Sequence, residues 1–245
     1  MTMEEEFTRD RISHLGLTLY QPARGYRFSI DSLLLASFAS AQMRGGSCLD
    51  AGAGCGVVSL CLARLREDLE RIVAVEVQER LCRLAERNVR ENGLEGRVDV
   101  VHADLTVFAR TCGERFDSIV SNPPYIPVDA GRPSPHGERE VARQEVSLDS
   151  ASLAASVRVL LKEGGRFFVI YPAWRIRDVV VTFSEEGLDV TCIRPVHPKA
   201  GEEASHVLLS GSKSPGGECR LLPPLVVYTD EGEYTPEARR ILYQR

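Results

Sequence analysis

The chain has 245 residues, 43% of them hydrophobic and 27% charged, which suits one large α/β domain better than two full domains. A net charge of −5 excludes a surface that attracts nucleic acid everywhere, so an RNA substrate would need a local basic patch. No run of about 18 apolar residues marks a membrane span. The acidic start from Met1 to Asp10 lacks the basic head and apolar core of a signal peptide. The seven cysteines (Cys48, Cys55, Cys61, Cys82, Cys112, Cys192 and Cys219) form no CxxC pair and no zinc spacing. They read as the packing residues of a reduced, cytoplasmic protein with no metal site.

Residues 1–28 read as a polar lead-in, with Glu4-Glu5-Glu6 a solvated run or frayed helix start and Leu17–Gln21 a short strand. Ser29-Ile30-Asp31 then precedes the apolar helical run Leu33–Ala39, with Ser29 or Asp31 as N-cap. Locally, Asp31 is better explained as that cap than as a ligand-facing acid. The stretch 1–45 is thus a lead-in ending in a helix.

A core spanning 46–212 follows. Ser47–Asp50 is a strand, Gly52-Ala53-Gly54-Cys55-Gly56 a glycine loop, and Val57–Ala63 a helix. Glycines at 52, 54 and 56 remove the Cβ atoms that would keep a ligand from the backbone. The spacing is GxGxG and not the GxGxxG of dinucleotide sites. Asp50 at the strand end would repel a pyrophosphate and attract an ammonium, which favours S-adenosylmethionine (SAM) over NAD. The next strand, Arg71–Val75, ends at Glu76, 24 residues after Gly52 and suitably placed for ribose hydroxyls. A helix over 78–92 stops at Asn92-Gly93. Strand Val98–His102 leads to Asp104-Leu105, where Asp104 could hold the amino group of an adenine. His102 is accounted for by its strand.

The fourth strand, Phe116–Ser121, runs into Asn122-Pro123-Pro124-Tyr125. Two prolines remove two donors and stiffen the chain. The result is a rim with bare carbonyls, one amide and one aromatic ring, suited to a planar NH2 group. Asn122 and the Pro123 carbonyl would each accept one of its protons, with Tyr125 stacked on its flat face. The loop 126–146 is long enough to flank a substrate cleft. Then come a helix over Leu148–Leu161 stopped at Gly164-Gly165, strand Arg166–Tyr171, a helix over Arg175–Glu186, strand Leu188–Val196, and an antiparallel strand Ala204–Ser210. Residues 213–245 form a docked apolar tail, with Thr235 capping a short helix begun by Pro236. The whole predicts a Rossmann-like α/β fold: a seven-stranded, mostly parallel sheet with one antiparallel strand and helices on both faces. Asp50, Glu76, Asp104 and Asn122 each follow a strand, so all converge on one sheet edge.

With these motifs in order, the chain resembles the class I SAM-dependent methyltransferases. Within them it is similar to the tRNA1(Val) adenine-37 N6-methyltransferase family, from about Tyr20 to Leu242. Further matches are Gln21-Pro22, Phe28 to Ala36, Ala142 to Glu145, Arg194 to Lys199, Pro223 to Tyr228 and Tyr234-Thr235. The resemblance implies that Asp31 helps close the cofactor site over the methionine end of SAM, which Asp50, Gly52, Gly54 and Gly56 hold. It implies ribose binding by Glu76, adenine binding by Asp104 and the Leu105 amide, and a target amine held by Asn122, Pro123, Pro124 and Tyr125. It also implies an RNA partner, foremost tRNA. Two departures stand. Ile126-Pro127 gives NPPYIP, a form shared with protein-glutamine N5-methyltransferases, which resemble longer chains with a helical N-terminal domain; here only about 45 residues precede Leu49. The acidic balance leaves Arg9, Arg11, Arg24, Arg27, Arg139, Arg143, Lys199, Arg239 and Arg240 as candidates for a basic patch or for scattered solvated charge. A module that keeps the fold and binds RNA without chemistry is the non-enzymatic alternative.

Overall fold

The computed structural model describes residues 7–23, 29–123, 150–213 and 218–243. Pro124, Tyr125 and the loop 126–146 lie outside them, as do Arg24, Arg27, Arg139 and Arg143.

The chain opens with an antiparallel hairpin, β1 (Phe7–Ile12) and β2 (Leu17–Pro22), paired from Phe7↔Pro22 to Ile12↔Leu17. The second strand was expected. The first stands where a polar lead-in was expected, because its sequence FTRDRI alternates no buried face; pairing with β2 makes it a strand. Helix α1 (Ile30–Ser40) is capped by Ser29, whose hydroxyl accepts the Asp31 N–H, so Ser29 and not Asp31 is the cap. Its residues Leu33, Leu34, Leu35, Ala36, Phe38 and Ala39 are all buried, so the helix is wedged between its neighbours rather than resting on one face.

The central sheet is built from β3 (Gly46–Ala51), β4 (Leu69–Glu76), β5 (Val98–His102), β6 (Phe116–Ser121), β7 (Leu161–Pro172), β8 (Asp189–His197) and β9 (His206–Ser212). Their spatial order is β8-β9-β7-β6-β3-β4-β5. All are mutually parallel except β9, which runs antiparallel to β7 and β8. That is the expected seven-stranded set with its single reversed strand. Two short strands of the tail, β10 (Arg220–Leu221) and β11 (Leu225–Val226), extend it by pairing parallel to β8, so the described sheet has nine strands. The tail is therefore partly built into the sheet.

Helices α2 (Val57–Leu65) and α3 (Glu79–Glu91) join α1 on one face. Helices α4 (Leu105–Thr111), α5 (Ser150–Leu160) and α6 (Ile176–Glu185) cover the other. A terminal helix, α7 (Pro236–Tyr243), packs beside α1. The chain winds outward from β3 to β4 and β5, then returns to β6 on the other side of β3. The strand order reverses between β3 and β6, the place where such sheets open a ligand crevice.

The hairpin is fastened to α3 by two side-chain amides one helical turn apart. Asn88 accepts the Tyr20 N–H at 2.7 Å and donates to the Tyr20 carbonyl and the Cys55 carbonyl, both at 2.9 Å. Asn92 accepts the Thr18 N–H at 2.9 Å and donates to the Thr18 carbonyl at 2.7 Å. Each amide does for β2 what a neighbouring strand would do. Arg87 lies over the rings of Tyr20 and Phe7, at 3.7 and 4.2 Å from their centroids, and closes the same contact. Asn88→Ala would leave three buried backbone groups unpaired, a cost of about 2–4 kcal/mol. Urea denaturation should show that loss, and hydrogen exchange should show the Tyr20 amide losing protection.

Candidate active site

Each functional residue sits where a strand of the sheet ends. Along the edge the order is Asn122 after β6, Asp50 on β3, Glu76 closing β4, and Asp104 beyond β5. The glycine loop is laid over the end of β4. Gly52 and Ala53 both donate to the Val75 carbonyl, at 3.0 and 2.9 Å, and Gly54 donates to Glu76 Oε2 at 2.8 Å. Gly52, Gly54 and Gly56 all take positive φ, between 58° and 84°. At Gly52 a Cβ would meet no protein atom within 4 Å, so the left-handed backbone and the approach of a ligand are what require glycine there.

Asp50 is 1% exposed. Its Oδ2 accepts from the Ser59 N–H at 3.0 Å and the Ser59 hydroxyl at 2.6 Å, on the first turn of α2. Burial, with the nearby Glu76 charge adding to it, outweighs these bonds and lifts the carboxyl from 3.8 to about 6. Glu76 is also buried. Its two oxygens accept from Gly54 and Gln78, each at 2.8 Å, and burial raises its pKa against those bonds. Each carboxylate oxygen has a second lone pair, so these bonds leave room for ribose hydroxyls. Asp104 is exposed and caps α4, its Oδ1 accepting from Thr106 and Val107. The Thr106 hydroxyl bond is the main cause that holds its carboxyl low. The Ala103 N–H donates to the Glu76 carbonyl at 3.0 Å, which brings Asp104 beside the ribose acid.

A narrow cleft joins the cofactor loop to the acceptor rim. It is lined by Ser32, Asp50, Gly52, Ala53, Cys55, Val57, Val58 and Asn122, and encloses about 250 Å³ of free space, of which about 10 Å³ admits a water-sized sphere. Asn122 Nδ2 donates to Ser32 Oγ at 3.0 Å, and Ser121 Oγ donates to the Ala51 carbonyl at 2.7 Å. Pro123 is buried beside them. Asp31 is not among the lining residues. It accepts from the Ser29 hydroxyl and faces His206 Nε2 at 3.9 Å, while its neighbour Ser32 takes the place on the wall. Leu105 is buried at the start of α4. The sequence reading missed Ser32, Ser59 and Ser121, small polar residues whose partners lie 90, 9 and 70 positions away. No local signal marks them.

The donor set fits SAM. A buried acid beside a left-handed glycine turn can take an ammonium, and a second acid one strand over can take a ribose.

Comparison with known proteins agrees. A family model described as the methyltransferase small domain matches residues 28–134. A protein of Cronobacter sakazakii named tRNA1(Val) (adenine(37)-N6)-methyltransferase is 32% identical over 206 residues, covering 84% of this chain and 82% of its own. The chain belongs to this tRNA1(Val) (adenine(37)-N6)-methyltransferase family. A relative of the same name from Haemophilus influenzae is 27% identical over 219 residues, with 88% and 89% covered. Among solved structures, a predicted O-methyltransferase of Agrobacterium tumefaciens superposes with a TM-score of 0.69 at 20% identity, over 87% of this chain and 98% of the other. A methyltransferase of Pyrococcus furiosus gives 0.59 at 21% identity, over 81% and 90%. These two share the fold, the class I methyltransferase fold expected from the sequence.

In this family member the raised carboxyl makes a stability prediction. Between pH 3.8 and about 6 the folded state holds a proton on Asp50 that the unfolded chain has lost. The contribution of this group therefore falls as pH rises through that window and is flat above it. Keeping Asp50 ionised and buried costs on the order of 3 kcal/mol at pH 8. Asp50→Asn should raise the melting temperature at pH 8 and flatten the pH profile between 4 and 6.

Proposed function

We propose that this protein transfers a methyl group from SAM to the exocyclic N6 of an adenine in RNA, and that the RNA is a tRNA. The observation that carries the reading is the shared cleft. Asn122, the amide of the acceptor rim, forms one wall with Asp50 and Gly52 of the cofactor loop. The relatives' names support the choice of adenine and tRNA. No described helix is long and apolar enough to cross a membrane, and we place the protein in the cytoplasm with its substrate.

Bound SAM supplies an already activated methyl group on its sulfonium. The residues of the chain do the rest. Asp50 receives the ammonium, the left-handed turn at Gly52 lets the methionine end approach the backbone, Glu76 takes the ribose, and Asp104 with the Leu105 amide takes the adenine. Asp31, held at the start of α1 beside Ser32, helps close this site. On the acceptor side, Asn122 Nδ2 donates to Ser32 Oγ, which orients the amide, and Asn122 Oδ1 is the atom that would accept from the target amine. The Pro123 carbonyl would accept its second proton, and the roles that the family motif gives Pro124 and Tyr125 fall on residues outside the described ones. Two acceptors on one NH2 draw its nitrogen towards a tetrahedral shape and free the lone pair from the ring. The catalysis is therefore orientation more than acid–base chemistry. A base in an RNA loop is already unpaired, which lowers the cost of bringing it to this edge.

Mass spectrometry of nucleosides from unmodified tRNA treated with the protein and SAM should show N6-methyladenosine. Asn122→Ala should lower kcat by about 10²–10³ and leave SAM affinity little changed. Transfer to a protein glutamine and not to RNA would sink the reading. Calorimetry should also show SAM affinity weakening about tenfold per pH unit below pH 6, where Asp50 must give up its proton to receive the ammonium. Asp50→Asn should bind SAM poorly at every pH.

A further inference from the structure

Away from the cleft, the fold gathers three arginines from distant parts of the chain: Arg166 bonds to Gln42, two residues before Arg44, and to Ser210, whose neighbour across the sheet, Cys192, pairs with Arg220. Arg44 follows α1, Arg166 lies in β7, and Arg220 opens β10. Arg166 makes only long bonds to neutral acceptors: the Gln42 carbonyl at 3.3 Å, Gln42 Oε1 at 3.5 Å and Ser210 Oγ at 3.4 Å. Burial, and then the charges of Arg220 and Arg44, push its pKa down. Among the described residues no carboxylate pairs with any of the three. Glu237, which lines the same region, is spent on Arg194 at 2.6 Å.

Beside Arg220 opens a cleft with about 510 Å³ of water-accessible space, floored by Phe38 and Leu222 and edged by Arg194, Arg220 and Arg240. Its position relative to the methyl-transfer site is fixed by α1. Ser32, near the start of that helix, touches Asn122, and Gln42, just past its end, touches Arg166. An eleven-residue helix spans about 16 Å. The arginines thus lie on the α1 face, about that far below the rim where the target base enters.

We propose that Arg44, Arg166 and Arg220, with Arg240 across the cleft, grip the phosphodiester backbone of the RNA whose base enters at Asn122. This rests on the RNA reading above. Like charges gathered at one surface raise the local positive potential and attract a polyanion. Guanidinium forks match phosphate oxygens better than ammonium groups do. Arg220 and Arg240 edge an open cleft, and Arg166 and Arg44 lie beyond its Gln42 side, so the charges suit an extended polyanion and not a single enclosed phosphate. They also provide the local basic surface that a chain of net charge −5 needs to hold RNA.

The test is tRNA binding by the full chain over a range of salt. Arg44 and Arg220 are exposed, and among the described residues neither pairs with a carboxylate, so Arg44→Glu/Arg220→Glu should stay folded, with a melting temperature no lower than that of the wild type. It should lose about tenfold or more in tRNA affinity, and its log–log salt dependence should become shallower by roughly 1.5 to 2. SAM affinity by calorimetry, and kcat at saturating tRNA, should stay at wild-type values. Arg110→Glu/Arg177→Glu, on the opposite face, makes the same change in net charge and should bind tRNA nearly as the wild type does. Wild-type affinity and salt slope in the first variant, or an equal loss in the second, would overturn the proposal. A wild-type protein that binds no tRNA would remove the RNA reading with it. If the wild type methylates tRNA while the first variant is unimpaired, only the surface is wrong.

Discussion

Much of this structure depends on one buried carboxylate, Glu76, at the end of β4. A buried charge is tolerated only when donors surround it. Here the donors are the N–H groups of Gly54 and Gln78, each at 2.8 Å, and bonds of this charged kind contribute about 1.5–3 kcal/mol each. The first of them reaches across from β4 to the glycine loop that follows β3. Together with the Gly52 and Ala53 bonds to Val75, it presses that loop onto the neighbouring strand. Glu76 and the glycine loop are thus one mechanical unit. Asp50 sits at the same edge and feels the Glu76 charge. Two acids so close, both raised by burial, weaken the empty fold and are relieved by a cationic ligand. A pair of buried acids of this kind is kept at the expense of stability.

The second constraint runs from the N-terminal hairpin. β2 has β1 along one edge, and along the other it would have open backbone groups. Asn88 and Asn92 supply partners there, and the same Asn88 amide bonds the Cys55 carbonyl inside the glycine loop. Hairpin, α3 and cofactor loop are therefore locked by one side chain. α1 carries the lock to the acceptor side, because Ser32 holds Asn122. Donor and acceptor halves of the cleft are positioned by two short polar contacts at opposite ends of a continuous path.

How much of this was legible follows from how each feature is encoded. The parallel strands could be read because a strand buried on both faces is a short apolar run bounded by turn residues, as in Val73–Val75. The edge residues could be read because function there is tied to a strand end, a local position. β1 could not, since Phe7–Ile12 alternates no buried face and exists by pairing with β2. α4 was missed because Leu105–Thr111 is two turns long, too short to show a period, and depends on the Asp104 cap. Asn88 looked like any polar residue in a helix. Its burial becomes visible only once β2 arrives from 68 positions away. Asp31 was assigned to the cofactor by resemblance, and its neighbour Ser32, which no motif singled out, lines the cleft.

Charge shows the same limit most sharply. Nine basic residues could be named from the sequence as candidates for a patch, and the described ones are largely occupied. Arg9 lies 3.7 Å from Glu91, Arg239 pairs with Glu233 at 3.1 Å, and Lys199 donates to the Asp230 carbonyl. Arg44, Arg166 and Arg220, which have no carboxylate partner among the described residues, were not among the nine, whereas Arg240 across the cleft was. No window of sequence contains two of them. They meet because β7 lies inside the sheet, because the tail returns to pair with β8, and because α1 ends against both. A basic surface in an acidic protein is a property of topology: the fold gathers a few charges and neutralises the others with neighbours. Net charge then reports how the chain behaves in bulk and says little about where a polyanion can be held.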